Sequence, residues 1–190
     1  MRTRPPAYEV SSRNSPEAIM TSSDKPSPDT TIDVCTMGIS DEEVPDDLSR
    51  VAEATLEYMG RSGVEVSIVL CGDTEIHELN RLHRNQDKAT DVLSFPQGGT
   101  VPDVGVEPAV PAWPTESGER THLGDVVISV DSVRRNAEEW EIAYAQELQR
   151  VVIHGVLHLL GMDHGTNDPG QEMLQLQERI LETVMKEGET

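Results

Sequence analysis

The chain is poor in aromatic residues, cysteine, lysine and long apolar runs, and each shortage closes off a class of function. Phe, Trp and Tyr make up 3% of its 190 residues, too few for a nucleic-acid platform built on successive base-stacking rings. The core must therefore be aliphatic. Two cysteines, Cys35 and Cys71, cannot form a disulfide framework. Each lies in or beside a strand-like apolar run, TIDVCTM and VEVSIVLC, and is expected as a buried free thiol. No stretch approaches the roughly 18 apolar residues of a membrane span. The N-terminal MRTRPPAYEVSSRN has arginines without the apolar run of a signal peptide. A soluble cytoplasmic protein with no membrane partner is the expectation.

Lys25, Lys88 and Lys186 are the only lysines, and 35 acidic residues against 15 Lys and Arg give a formal charge of −20. Such a surface resists aggregation and repels phosphate backbones unless a local basic patch reverses the field. On composition it suits a protein kept soluble in a high-salt cytoplasm.

A length of 190 residues predicts one domain with a tail. Residues 1–29, rich in Pro, Ser, Thr and charge and without periodicity, are expected to be a disordered N-terminal tail, and residues 30–190 the folded domain. TTIDVCTM alternates as a strand. SDEEVPDDLSRVAEATLEYMGRSG carries Leu48, Val51, Ala52, Leu56 and Met59 on one helical face and ends at Gly60 and Gly63. VEVSIVLCG reads as a strand, and DTEIHELNRLHRN as a helix with Asp73 and Thr74 as cap candidates and Ile76, Leu79 and Leu82 as its stripe. DVLSFP is a short strand closed by Pro96, residues 97–121 are a long loop rich in Pro and Gly, and GDVVISV is a further strand.

Three helices close the chain: SVDSVRRNAEEWEI, AYAQELQRVVIHGVLHLLG and DPGQEMLQLQERILETVMK, the last with Asp168 as N-cap and Pro169 in the first helical position. The order βαβαββααα predicts an α+β (mixed α/β) single domain. A small mixed β-sheet packs with about five helices, and a metal site stands at the end of the long helix.

That site is HGVLHLLGMDH, residues 154–164. On a helix, His154 and His158 lie one turn apart on one face. Gly161 can take the left-handed conformation that ends a helix, and His164 then returns toward the same point. The spacing HxxxHxxGxxH is that of the metzincin proteases, with Gly155 where those enzymes place the glutamate that activates water. Chance produces it in roughly one such sequence in a few thousand. Neutral imidazoles suit Zn²⁺, and three ligands leave the fourth position for water, whose pKa falls to around 7. A closed structural site would need a fourth ligand, for which Asp163, His122 or a cysteine are the candidates.

HGVLHLLGMDH, together with LNRLHRNQDKATDVLSFP at residues 79–96 and LGDVVIS at 123–129, resembles the bacterial YbeY endoribonuclease family, the rRNA maturation factors. The three motifs stand in the same order, and the resemblance runs from about residue 31 to the end. It implies a zinc-dependent single-strand endoribonuclease with one Zn²⁺ per chain, acting in 16S rRNA 3′-end maturation and ribosome quality control. The implied partners are single-stranded RNA, 16S rRNA in the small ribosomal subunit, and a ribosomal or GTPase protein. By position, His154, His158 and His164 match the family's zinc ligands. Arg84 matches the arginine of its LNxxxR stretch, which the resemblance implies to face the metal cleft. Met162 departs from the tyrosine common at that place, and its side chain is not a ligand.

Arg81, Arg84 and Lys88 concentrate positive charge near a helix end of an otherwise acidic chain. There Arg84 can grip a scissile phosphate in bidentate fashion; pairing with a surface carboxylate is the alternative. Thr90, Asp91, Ser94 and Asp125 are expected to cap or brace, His77 and His83 to be exposed helix residues, and His122 stays undecided. With Gly155 in place of glutamate, three routes to the attacking oxygen stay open: zinc-generated hydroxide, Asp163 acting from outside the ligand set, or the RNA's own 2′-hydroxyl. Two other functions compete. One is a zinc metallopeptidase, which Gly155 argues against, and the other a ribosome-associated protein whose zinc is structural.

A tail without apolar periodicity adds nothing to a core. Deleting residues 1–29 should therefore leave the thermal midpoint nearly unchanged, and a drop of more than a few degrees would show that the tail packs on the domain.

Overall fold

The alternating apolar residues of VEVSIVLC put Val64, Val66, Ile68 and Leu70 on one side of a strand, β2 (Val64–Cys71), where all four are fully buried. The computed structural model describes residues 30–40, 44–97, 121–166 and 168–188; the expected tail (1–29) and nearly all of the expected loop (98–120) lie outside the described residues. Three more strands join β2: β1 (Thr31–Met37), β3 (Val92–Pro96) and β4 (Thr121–Ser129). They form one mixed sheet of order β1-β2-β4-β3, with β1 and β4 parallel to β2 and β3 antiparallel to β4. Five helices complete the chain: α1 (Leu48–Tyr58), α2 (Asp73–Arg84), α3 (Val130–Trp140), α4 (Tyr144–Leu159) and α5 (Glu172–Gly188). The element order and the single α+β domain are those read from the sequence.

The two sheet faces are unequal. On one, Val126 and Ile128 stand in register with Ile68 and Leu70, and α4 covers them with Leu148, Val152, Ile153, Val156 and Leu157 buried. Helices α1, α3 and α5 pack around α4, which also touches β3 and β4. On the other face α2 contributes Ile76 to a small cluster with Cys71, Leu93 and Val127.

Several local expectations change, each for a packing reason. β4 begins at Thr121, three residues before the expected strand, because a bulge lets His122 stay paired with Glu65 while Gly124 faces Val66. Gly124 has φ 134°, and a Cβ there would collide with the Phe95 carbonyl oxygen. Cys35 is exposed: β1 is an edge strand, and Cys35 points away from the face on which Ile32 and Val34 meet the core. In α2 the buried stripe stops early. Leu82 is 58% exposed, since the last turn runs past the small cluster.

Asp73 is not the N-cap of α2, a place held by Gly72. Its carboxylate turns instead to the start of α3, accepting from the hydroxyls of Ser129 and Ser132 and pairing with Arg135. Asp168 likewise serves a turn ahead of α5, accepting from the Gly170 N–H, so that helix starts at Glu172. No described helix is long and apolar enough to cross a membrane.

Helix α4 comes so close to the sheet at Gly155 that a Cβ would collide with the Val126 side chain. The Ser94 hydroxyl of β3 also donates to the Gly155 carbonyl, at 3.0 Å. Gly155→Ala should therefore destabilise the protein by about 1–3 kcal/mol through overpacking, measured by denaturant unfolding, and adding Val126→Ala should recover part of the loss. Unchanged stability in Gly155→Ala would show that helix and sheet separate without cost.

Candidate metal centre

Helix α4 buries its sheet-facing and helix-facing residues and leaves His154 and His158 half-buried on the remaining side. It ends at Leu160. Gly161, at φ 83°, donates to the His158 carbonyl and Met162 to the Leu157 carbonyl, the paired bonds of a Schellman turn. Met162 packs against the core, the apolar contact such a turn favours. An apolar residue at that position thus has a local reason. Beyond the turn the Asp163 carboxylate accepts from the His164 N–H at 2.8 Å, and the His164 ring comes back over the helix. His158 Nε2 lies 3.0 Å and His164 Nε2 3.4 Å from His154 Nε2.

The other ring nitrogens face outward. His154 Nδ1 meets Gln177 Oε1 at 2.8 Å, and His164 Nδ1 meets the Thr166 carbonyl at 3.1 Å. The Thr166 carbonyl can only accept, so His164 donates from Nδ1 and its Nε2 lone pair faces the cluster, whereas the role of His154 Nδ1 depends on which end of the Gln177 amide faces it. Burial holds His154 below the ordinary imidazole range, and burial with two neighbouring rings drives His158 down to about 4. Both are neutral at pH 7, the form that coordinates metal.

In a tetrahedral site with Zn–N bonds of about 2.0–2.1 Å, ligand nitrogens stand about 3.3 Å apart, a value bracketed by the 3.0 and 3.4 Å separations here. Residues and group fit, and His154, His158 and His164 have the donor set to hold one metal ion.

Among the described residues no fourth His, Cys, Asp or Glu joins the set, as a closed structural site would require. Cys71 lies in the small cluster beneath α2 with Ile76, Leu93 and Val127, outside the histidine set, and burial pushes its thiol up to about 12. Asp163 is largely exposed, its Oδ1 4.0 Å from His158 Nδ1. His122 sits opposite Glu65 on the sheet face away from α4. Ser67 Oγ at 3.4 Å and Asp125 Oδ1 at 3.8 Å both approach its Nε2. A nucleophile relay needs the two partners on different ring nitrogens, so this trio is not one.

Arg84 closes α2, and its Nη2 donates at 3.3 Å to the Ser94 carbonyl on edge strand β3. Ser94 Oγ in turn reaches the Gly155 carbonyl, next in chain to His154. Two hydrogen bonds thus tie Arg84 to the histidine helix. Arg81 is held by Glu78 and Arg135 by Asp73, whereas Arg84 rests on a neutral carbonyl. Asp91 accepts from Thr90, the Val92 N–H and Asn136, bracing the entry to β3. His77 is exposed and pairs with Asp87, and His83, also exposed, stacks edge-on against Phe95.

Sequence reasoning missed Gln177 and Glu178 of α5. Gln177 Nε2 donates to Glu178 Oε1 at 3.0 Å, and Arg150 holds Glu178 through Nε at 2.8 Å and Glu147 through Nη1 at 2.6 Å. A signal was present: Gln177 is the polar member of the buried α5 stripe of Met173, Ile180, Leu181 and Val184.

The sequence profile of the family described as Endoribonuclease YbeY matches residues 32–185. Endoribonuclease YbeY of Treponema pallidum is 46% identical over 129 residues, 67% of this chain and 73% of that protein. Endoribonuclease YbeY of Aquifex aeolicus is 36% identical over 142 residues, 74% of this chain and 84% of its own. A solution structure of a Thermotoga maritima protein is similar with a TM-score of 0.54 and 28% identity, covering 83% of this chain and 91% of that one.

Glu147 gives the fold a pH dependence. Burial raises its carboxyl from 4.5 to about 7 despite Arg150, so between those values the folded state keeps a proton that the unfolded chain has lost. The stability it contributes is full below the lower value and is lost as pH rises through the upper one. Relative to Glu147→Gln, which cannot ionise, the wild type should weaken across that window by a few kcal/mol at most in urea unfolding. A constant difference would show that Arg150 keeps Glu147 ionised throughout.

Proposed function

The chain belongs to the YbeY endoribonuclease family, and on that footing we propose that it is a zinc-dependent endoribonuclease cutting single-stranded RNA in the cytoplasm, in 16S rRNA 3′-end maturation and ribosome quality control. The observation that carries the reading is the convergence of three imidazole Nε2 atoms at the end of α4. On this reading His154, His158 and His164 hold one Zn²⁺ per chain. When bound, zinc supplies Lewis-acid charge to the phosphodiester and hydroxide near neutral pH.

Arg84 is the phosphate-binding residue of the proposal. Its planar fork matches two phosphate oxygens and offsets the charge that grows on them. To bind, it exchanges the neutral Ser94 carbonyl for an anion. The charge of −20 opposes free encounter with RNA, because phosphate contacts supply most nonspecific affinity. Docking on the small ribosomal subunit, or through a ribosomal or GTPase protein, answers that opposition.

The metallopeptidase alternative loses support at Gly155. No Cβ fits there against Val126, so the water-activating glutamate of a peptidase has no room unless α4 leaves the sheet.

Zinc-loaded protein should cut single-stranded RNA internally and duplex RNA poorly, since a stacked A-form backbone does not open into such a site. Activity should vanish with a chelator and return with metal. Arg84→Ala should cleave about two orders of magnitude more slowly with zinc content intact, and Arg84→Lys should recover only part. Full activity in Arg84→Ala would remove that residue from the reaction. Cleavage of a casein-like substrate but never of RNA, tested across salt and with ribosomes present, would establish the peptidase instead. Cleavage of neither would leave the structural-zinc protein as the account.

A further inference from the structure

Resting on the triad as a metal centre, we infer that Gln177 and Glu178 form a positioning relay that fixes which nitrogen of His154 carries the proton. A glutamine amide offers either an acceptor oxygen or a donor nitrogen, and only its second contact decides which end faces the histidine. Here the second contact is Glu178 Oε1, 3.0 Å from Gln177 Nε2. An ionised carboxylate accepts and never donates. The amide nitrogen must therefore face Glu178, and the amide oxygen must face His154 Nδ1 at 2.8 Å. His154 then donates from Nδ1, and its Nε2 lone pair points into the triad, where His158 and His164 already converge.

The Glu178 carboxylate is held in place in turn. Arg150 reaches it from α4 with Nε at 2.8 Å and Nη2 at 3.4 Å, and spends Nη1 on the buried Glu147. Arg150 cannot lose its proton, so one end of the relay always donates. The relay runs from α4 to α5 and back: Glu147, Arg150, Glu178, Gln177, His154. A glutamine in this place orients the ligand without adding negative charge beside it, whereas a carboxylate would do both. Partners of this kind that hold a ligating histidine change metal affinity by about 10- to 100-fold when removed.

The test reads the proton directly. In metal-free protein near pH 7, two-bond proton–nitrogen correlation NMR distinguishes a His154 protonated at Nδ1 from one protonated at Nε2. The wild type should show the Nδ1 form. Gln177→Met, which keeps the buried volume and removes the acceptor, should move the proton to Nε2. Glu178→Gln lies at the surface end and should leave the fold intact; it should give a mixture, because either end of Gln177 can then face it. Zinc dissociation constants from chelator competition should rise by about 10- to 100-fold in Gln177→Met and by less in Glu178→Gln.

An Nε2-protonated wild type overturns the relay, and so do variants that leave the proton on Nδ1, whatever their zinc affinity. If the proton moves as expected and no chain binds zinc, the relay stands and the metal reading falls.

Discussion

Gly155 lets α4 lie against Val126 with no side chain between them, and the position of each histidine follows from that contact. The helix is further held by the Ser94 hydroxyl on the Gly155 carbonyl and by α1, α3 and α5 around it. His154, one residue before the contact, and His158, one turn later, are carried on a segment that cannot shift without opening the core. The Schellman turn at Gly161 converts this rigidity into a third ligand direction, because it reverses the chain within three residues of His164. The residue that a peptidase would need at position 155 is the one the packing forbids.

The electrostatics run opposite to the chain as a whole. The chain carries a net charge of −20, whereas burial holds two of the three rings neutral. The half-buried arginine nearest in the network, Arg150, is consumed by Glu147 and Glu178. Arg84, by contrast, has a neutral carbonyl on the β3 edge as its partner. On the proposed reading, phosphate recognition falls to a separate element, α2, and not to the helix that carries the histidines.

Much of this was legible in the sequence where the signal was local. Period-two alternation marked β2, helical periodicity marked α1 and α4, and the histidine spacing with Gly161 marked the cluster, because each depends on residues within a turn or two. What failed depended on distant neighbours. Cys35 is exposed because β1 lies at the sheet edge, and Leu82 because α2 outruns the cluster it covers. The start of β4 depended on a bulge opposite β2. Gln177 contacts His154 across 23 positions of sequence. Its only local mark is a polar residue inside an apolar stripe, which is more commonly a satisfied buried amide than part of a site.

On the proposed function, three imidazole nitrogens at the end of α4 bind one zinc ion. X-ray absorption at the zinc edge, on protein loaded to saturation and quantified by elemental analysis, tests it most directly. The expected result is one zinc per chain with nitrogen neighbours at about 2.0–2.1 Å carrying the outer-shell signature of imidazole, and loss of that species in His158→Ala. Zinc well below one per chain under metal-replete conditions would contradict it, as would a sulfur neighbour at about 2.3 Å, which would bring Cys35 or Cys71 into the site.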